Sequence, residues 1–144
     1  MHSCSSLAGV RAIVVGGRGQ VGAAIADRLA AEGAEVAALD LPGARTDAGT
    51  ASGGRIRSGD IDLTRADDVA RALGEAIEHL GGVDAVVCAS GATRQGTSLA
   101  DETAEGWFSS LAVNLVGPFL VAQAVAPVLS DGGSLCFLSS GGAG

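Results

Sequence analysis

The heptapeptide Gly16-Gly17-Arg18-Gly19-Gln20-Val21-Gly22 sits between an apolar run and a segment of helical periodicity. Before it, residues 10–15 read VRAIVV, the pattern of a strand. After it, residues 20–32 carry Val21, Ile25 and Leu29 at helical spacing, and Gly33 can close that helix. The glycines satisfy G-x-G-x-x-G from Gly17 and G-x-x-G-x-x-G from Gly16. Glycine allows positive φ in a tight turn, and its missing Cβ lets backbone approach a pyrophosphate. The helix N-terminus then presents free N–H groups and a positive dipole to phosphate. A merely structural turn would use the same glycines. The flanking strand and helix favour the dinucleotide reading.

A dinucleotide also needs a partner for its adenosine ribose. Residues 34–40, AEVAALD, read as a second strand that ends in Asp40. A carboxylate there accepts hydrogen bonds from ribose hydroxyls, each charge-assisted bond contributing roughly 1.5–3 kcal/mol. It repels a 2′-phosphate, so NAD is expected rather than NADP. Arg18 and Arg45 argue the other way, because arginine near this point often receives that phosphate. Asp40 carries more weight because it stands directly at the ribose position; a helix-capping or solvated acid is its bland alternative.

The rest of the chain repeats the alternation. Residues 41–54 are rich in Gly, Ala, Thr and Ser and read as a loop, and residues 55–60 as a short third strand. Thr64 is expected to cap a helix, with Asp67 in capping-box position and Val69, Leu73, Ile77 and Leu80 on one face. Residues 83–88, VDAVVC, read as a fourth strand. Residues 102–129 form a long helical stretch that Pro118 should kink, and residues 134–138, SLCFL, read as a fifth strand. Strands alternating with helices imply right-handed parallel crossovers. The expected fold is α/β: a doubly wound, Rossmann-like parallel sheet in the order 3-2-1-4-5, with helices on both faces. Residues 1–8 are expected to be a flexible tail and residues 9–144 a single nucleotide-binding domain.

Composition limits the partners. The 47% hydrophobic and 17% charged content excludes disorder. The net charge is −7 with no basic run, which argues against nucleic acid or an anionic membrane surface. No apolar run reaches the roughly 18 residues a membrane span needs. The start, MHSCSSLAGVR, lacks a cationic segment ahead of an apolar one, as a secretory signal would have. Cys4, Cys88 and Cys136 are irregularly spaced and read as reduced thiols of a cytoplasmic protein. They do not cluster with His2 or His79, so no metal site is expected.

In order along the chain, these segments resemble the short-chain dehydrogenase/reductase family. VVGGRGQVG stands where that family has its glycine signature. ALDLPG resembles the strand-two end of NAD-dependent members, notably the 3-hydroxyacyl-CoA dehydrogenase type-2 group, and adds Leu41 beside Asp40. GDIDLTRADDV resembles the segment that contacts the adenine ring, which brings in Asp60 and Ile61. CASGA stands where the family has N-N-A-G, bringing in Ala89, Ser90 and Gly91. NLVGPFLV resembles the N-L-x-G-x-F helix and supplies Asn114, and GGSLCFLSS resembles strand five and the serine after it, Ser140. The chain departs from the pattern at Val15, where threonine is usual, and at Cys88, Ala89 and Ser90. Its glycine spacing is nearer that of the extended branch.

The resemblance implies hydride transfer between NAD and a small hydroxyl/ketone substrate. It implies cofactor contacts from Gly16 to Gly22, Asp40, Leu41, Asp60, Ile61 and the Ala89–Gly91 loop. Ser140 would orient and polarise the substrate carbonyl, and Asn114 would hold a water in a proton relay. A loop hydroxyl and a buried amide are the bland alternatives. The family's proton donor is a tyrosine activated by a lysine. This chain has no tyrosine, and its nine Lys/Arg residues are all arginine. The expectation is therefore the cofactor-binding half of such an enzyme, inactive alone, whether from truncation, a split gene or a partial chain. The alternative is a non-catalytic NAD-binding module or a subunit completed by another chain. Association is expected as a homo-oligomer or through the edge of strand five.

Overall fold

A computed structural model describes residues 6–44, 54–92 and 98–139. Its elements are β1 (Arg11–Val15), α1 (Gln20–Ala31), β2 (Glu35–Asp40), β3 (Ile56–Asp60), α2 (Ala66–Leu80), β4 (Val83–Cys88), α3 (Ala104–Leu111), α4 (Gly117–Val125) and β5 (Leu129–Phe137). A π-helical turn, Ala112–Val116, joins α3 to α4. The strands form one parallel sheet in the order β3-β2-β1-β4-β5, as the alternation required. The order in which the chain lays down its strands reverses between β1 and β4, which opens a crevice at the carboxyl ends of the strands. The register brings those ends level: Val15 pairs with Leu39 and with Cys88, and Asp40 pairs with Asp60.

Period-2 alternation sorts the core into two layers. Ala12, Val14, Val36 and Ala38 pack with Ala26 and Ala30 of α1. Ile13, Val15 and Leu39 pack with Leu73 of α2 and with Val121 and Val125 of α4. The α1 layer is built from small side chains, and the buried residues of α1 are Gly22, Ala23, Ala26 and Ala30. The expected stripe of Val21, Ile25 and Leu29 is displaced to its flank, because alanine and glycine let the helix axis approach the sheet closely.

Three local readings need correction. Thr64 does not cap α2; the N-cap is Arg65, without a side-chain hydrogen bond. The Thr64 hydroxyl donates to Asp62 at 2.7 Å, and Asp68 accepts from the Asp62 N–H at 2.7 Å. The acid two residues upstream therefore captures the threonine in a local turn. The long helical stretch ends at Val125 rather than residue 129, and β5 begins at Leu129. Its expected break at Pro118 takes the form of the π turn, with the proline in the first turn of α4 where its missing N–H is harmless. Finally, Ala104–Val125 is a continuous helical stretch of 22 residues, long and apolar enough by those measures alone to cross a bilayer. Single polar residues such as Asn114 interrupt the apolar run without interrupting the helix. Gly117, Val121 and Val125 are buried on the core side, while Trp107, Phe108, Leu115 and Phe119 are exposed.

At the amino end of the sheet, Arg11 ties three strands together. Its guanidinium donates to both oxygens of Asp84, at 2.8 and 2.7 Å, and to the Ser130 hydroxyl at 2.9 Å. These side-chain hydrogen bonds hold the Asp84 carboxyl well below the usual carboxylate range.

Candidate functional site

The glycine loop is shaped by contacts within the chain. Gly16 has φ +79°, and a Cβ there would lie 2.6 Å from the Ser90 nitrogen. A Cβ on Gly17 would lie 2.8 Å from the Ala38 Cβ, and one on Gly22 would strike the Gly16 carbonyl. These glycines therefore press the loop between β2, the loop after β4 and the first turn of α1. The Gly16 and Gly17 N–H groups donate to the Leu39 carbonyl at 2.8 and 3.0 Å, fixing the loop to β2. Gly19 is the N-cap of α1 and supplies no side-chain acceptor, and the first turn contains no acid. The helix thus begins without a carboxylate or hydroxyl on its N–H groups, the arrangement that suits a bound anion.

Asp40 faces this loop. Its Oδ2 accepts from the Arg18 N–H at 2.9 Å and its Oδ1 from the Leu41 N–H at 2.8 Å. An ionised carboxylate has about four acceptor positions, so two remain for hydroxyl donors. The Arg18 side chain runs across to the end of β3, where it meets Asp60 at 2.8 Å. Ile61 is buried, and its N–H donates to the Asp40 carbonyl at 2.8 Å, which keeps the ends of β2 and β3 in step.

The loop after β4 closes the other wall. Ala89 donates to the Val15 carbonyl at 2.8 Å, and Cys88 Sγ lies 3.3 Å from Ser90 Oγ. Asn114 sits in the π turn, a geometry frequent at functional sites. Its Nδ2 donates to the Ala92 carbonyl at 2.7 Å, and its Oδ1 accepts from the Ala92 N–H at 3.1 Å. Both amide atoms therefore hold the β4 loop, so the side chain braces the wall.

A crevice of about 240 Å³ runs past Gly16, Asp40, Leu41, Ile61 and Gly91. Across the Ala89–Gly91 loop it meets a second space of about 590 Å³, bordered by Val21, Asn114, Pro118 and Ser139. The structure thus brings Gly16, Gly19, Asp40, Leu41, Ile61, Ala89, Ser90 and Gly91 to one crevice, with Val21 and Asn114 beside it. Gln20 is exposed at the start of α1. Ser140 and Arg45 lie outside the described residues. Sequence reasoning missed Asp62, Leu63 and Thr64, which also line the crevice. The available signal was the Asp60–Asp62 spacing ahead of α2, which marks a polar turn at a strand's carboxyl end. A third cavity, of about 160 Å³, lies between β3 and the later turns of α2 and is lined by Asp60, Glu75 and His79. It has no helix N-terminus to offer an anion.

The fold is a Rossmann-like, doubly wound sheet with a crevice at the carboxyl ends of its strands. A family model described as Enoyl-(Acyl carrier protein) reductase matches residues 17–144. The chain is 35% identical over 141 residues to 2,5-dichloro-2,5-cyclohexadiene-1,4-diol dehydrogenase LinX of Sphingobium indicum, covering 93% of this chain and 56% of that protein. It is similar in structure to a dehydrogenase/reductase from Sinorhizobium meliloti, with TM-score 0.83 and 34% identity over 92% of this chain and 54% of that one. A short chain dehydrogenase from Burkholderia cenocepacia, solved in complex with NADP, gives TM-score 0.79 and 32% identity over 92% of this chain and 56% of that one. The chain belongs to the short-chain dehydrogenase/reductase family. It spans about half the length of the curated relatives it matches.

Proposed function

We propose that this chain binds a nicotinamide dinucleotide, NAD in preference to NADP, as the cofactor-binding part of an oxidoreductase acting on a hydroxyl/ketone pair. The observation that carries the reading is the Asp40 carboxylate, pinned by two backbone N–H groups beside an uncapped helix N-terminus. A dinucleotide fits these residues. The first turn of α1 would hold the pyrophosphate, and Asp40 would accept from the adenosine ribose. Asp60, Ile61 and Leu41 would border the adenine. Val21 and the Ala89–Gly91 loop would border the nicotinamide. When bound, the cofactor supplies a hydride donor or acceptor.

Asn114 keeps the β4 loop in place, and Ser140 would donate a hydrogen bond to the substrate oxygen. A serine hydroxyl is too weak an acid to move that proton unaided. With no tyrosine and no lysine among these 144 residues, the reading assigns them cofactor binding and no turnover of their own. The described Cys88 and Cys136 are free thiols, in keeping with the cytoplasmic location that forms part of this reading.

Calorimetric titration with NAD and NADP tests the assignment. NAD should bind more tightly. Asp40→Ala should weaken NAD by about 10- to 100-fold, the loss of one or two charge-assisted hydrogen bonds, and reduce the discrimination against NADP. Equal affinities for both cofactors in the unsubstituted chain would remove Asp40 from the ribose site.

A further inference from the structure

We propose that Arg18 sets the cofactor discrimination of this crevice by bracing the two carboxylates at its adenosine end, not by receiving a 2′-phosphate. The inference rests on the NAD-binding reading above. From its position in the glycine loop, Arg18 looks like a phosphate receiver. Its guanidinium is instead turned across the end of the sheet and engaged there. Nη1 donates to the Leu41 carbonyl at 3.2 Å. Nη2 donates to the Gly59 carbonyl at 2.9 Å and to Asp60 Oδ1 at 2.8 Å. The side chain is only 9% exposed, whereas the Asp60 side chain is 53% exposed. The buried Nε has no hydrogen-bond partner among the described residues, so this burial depends on the contacts made by the two terminal nitrogens.

One residue thus touches both acids, with its backbone N–H on Asp40 and its guanidinium on Asp60. The division has an electrostatic consequence. Asp60, the register partner of Asp40 on the neighbouring strand, is neutralised by the guanidinium, so it does not repel an anionic dinucleotide bound beside Asp40. Asp40 is oriented by neutral N–H groups and keeps its full charge to accept from ribose hydroxyls and to repel an added phosphate. For Arg18 to serve a 2′-phosphate, the guanidinium would have to leave a carboxylate and two carbonyls that bury it. Arg18 is therefore a positioning residue for Asp40 and Asp60, and the Asp60 pair is what withholds its charge from NADP.

The test is fluorescence titration of NADH and NADPH against the 144-residue chain, Arg18→Met, Asp60→Asn and the double variant. Arg18→Met should weaken NADH about tenfold, because Asp60 then faces the cofactor uncompensated. The double variant should recover most of that loss, since no uncompensated charge remains. Asp60→Asn releases the guanidinium and should narrow the preference for NADH over NADPH by at least about threefold. A merely structural arginine would weaken both cofactors alike and leave their ratio, and the double variant's affinity, unrestored. Selective loss of NADPH binding in Arg18→Met, with NADH unchanged, would overturn the proposal and make Arg18 the phosphate receiver. An unchanged ratio in Asp60→Asn would overturn it as well. If the unsubstituted chain binds neither cofactor, the NAD-binding reading itself fails. That result differs from tight NADH binding that is indifferent to Arg18.

Discussion

Gly16 and Gly22 exclude side chains for reasons internal to the chain, before any ligand arrives. Gly16 combines a left-handed backbone with the Ser90 nitrogen where a Cβ would go, and Gly22 abuts the Gly16 carbonyl. Gly16→Val or Gly22→Val should therefore destabilise the fold by about 2–4 kcal/mol, the sum of strain and overpacking, and abolish NADH binding. Urea unfolding with a parallel NADH titration checks this, and unchanged affinity in either variant would contradict it. At this scale several residues that line the crevice were legible and their wiring was not. Asp40, Gly16 and Gly91 could be picked out because strand ends and glycine loops leave a local signature. The partner of Arg18 could not, because a guanidinium's reach to Asp60 depends on how closely β2 and β3 run in space. Nor could the pairing of Asn114 with Ala92, which depends on where the π turn falls.

The elements show the same division. The strand ranges and their order follow from hydrophobic alternation and crossover handedness, and the structure reproduces them within a residue or two except at β5. Helix ends were read less well. The Thr64 cap was lost to Asp62, a competition between two side chains that a capping pattern does not weigh. The α1 stripe was misassigned because alanine carries little hydrophobic signal although it is what brings the helix to the sheet. The Arg11–Asp84 tie lay unseen because its partners are 73 residues apart. It makes a prediction about pH. The folded-state Asp84 pKa is depressed below its unfolded value of about 3.9, so its stabilisation is complete above that pH. It is lost as pH falls through the folded pKa. Asp84→Asn should lower the melting midpoint at pH 7 by about 5 °C. The gap between variant and parent should close progressively below about pH 4. A gap that stays constant down to pH 2 would show that the carboxylate's charge contributes nothing.

Across the whole molecule, the proposed cofactor crevice and the Arg11 tie occupy opposite ends of the sheet. The carboxyl ends of β1, β2, β3 and β4 carry the glycine loop, the two acids and the β4 loop, while the Arg11 tie closes the amino ends. Helix N-terminus, carboxylate and glycine wall converge only because β1 is central and the crossovers diverge from it. That convergence is the claim most open to direct test. Backbone amide shifts in an NMR titration of the isotope-labelled chain with NADH report where the ligand sits, residue by residue. The expected result is saturable perturbation concentrated at Gly16–Gly22, Asp40, Leu41, Asp60, Ile61 and Ala89–Gly91, with Arg11 and Asp84 unmoved. Saturable binding that instead perturbs the cavity between β3 and α2 around Glu75 and His79, or no perturbation at millimolar NADH, would contradict the account.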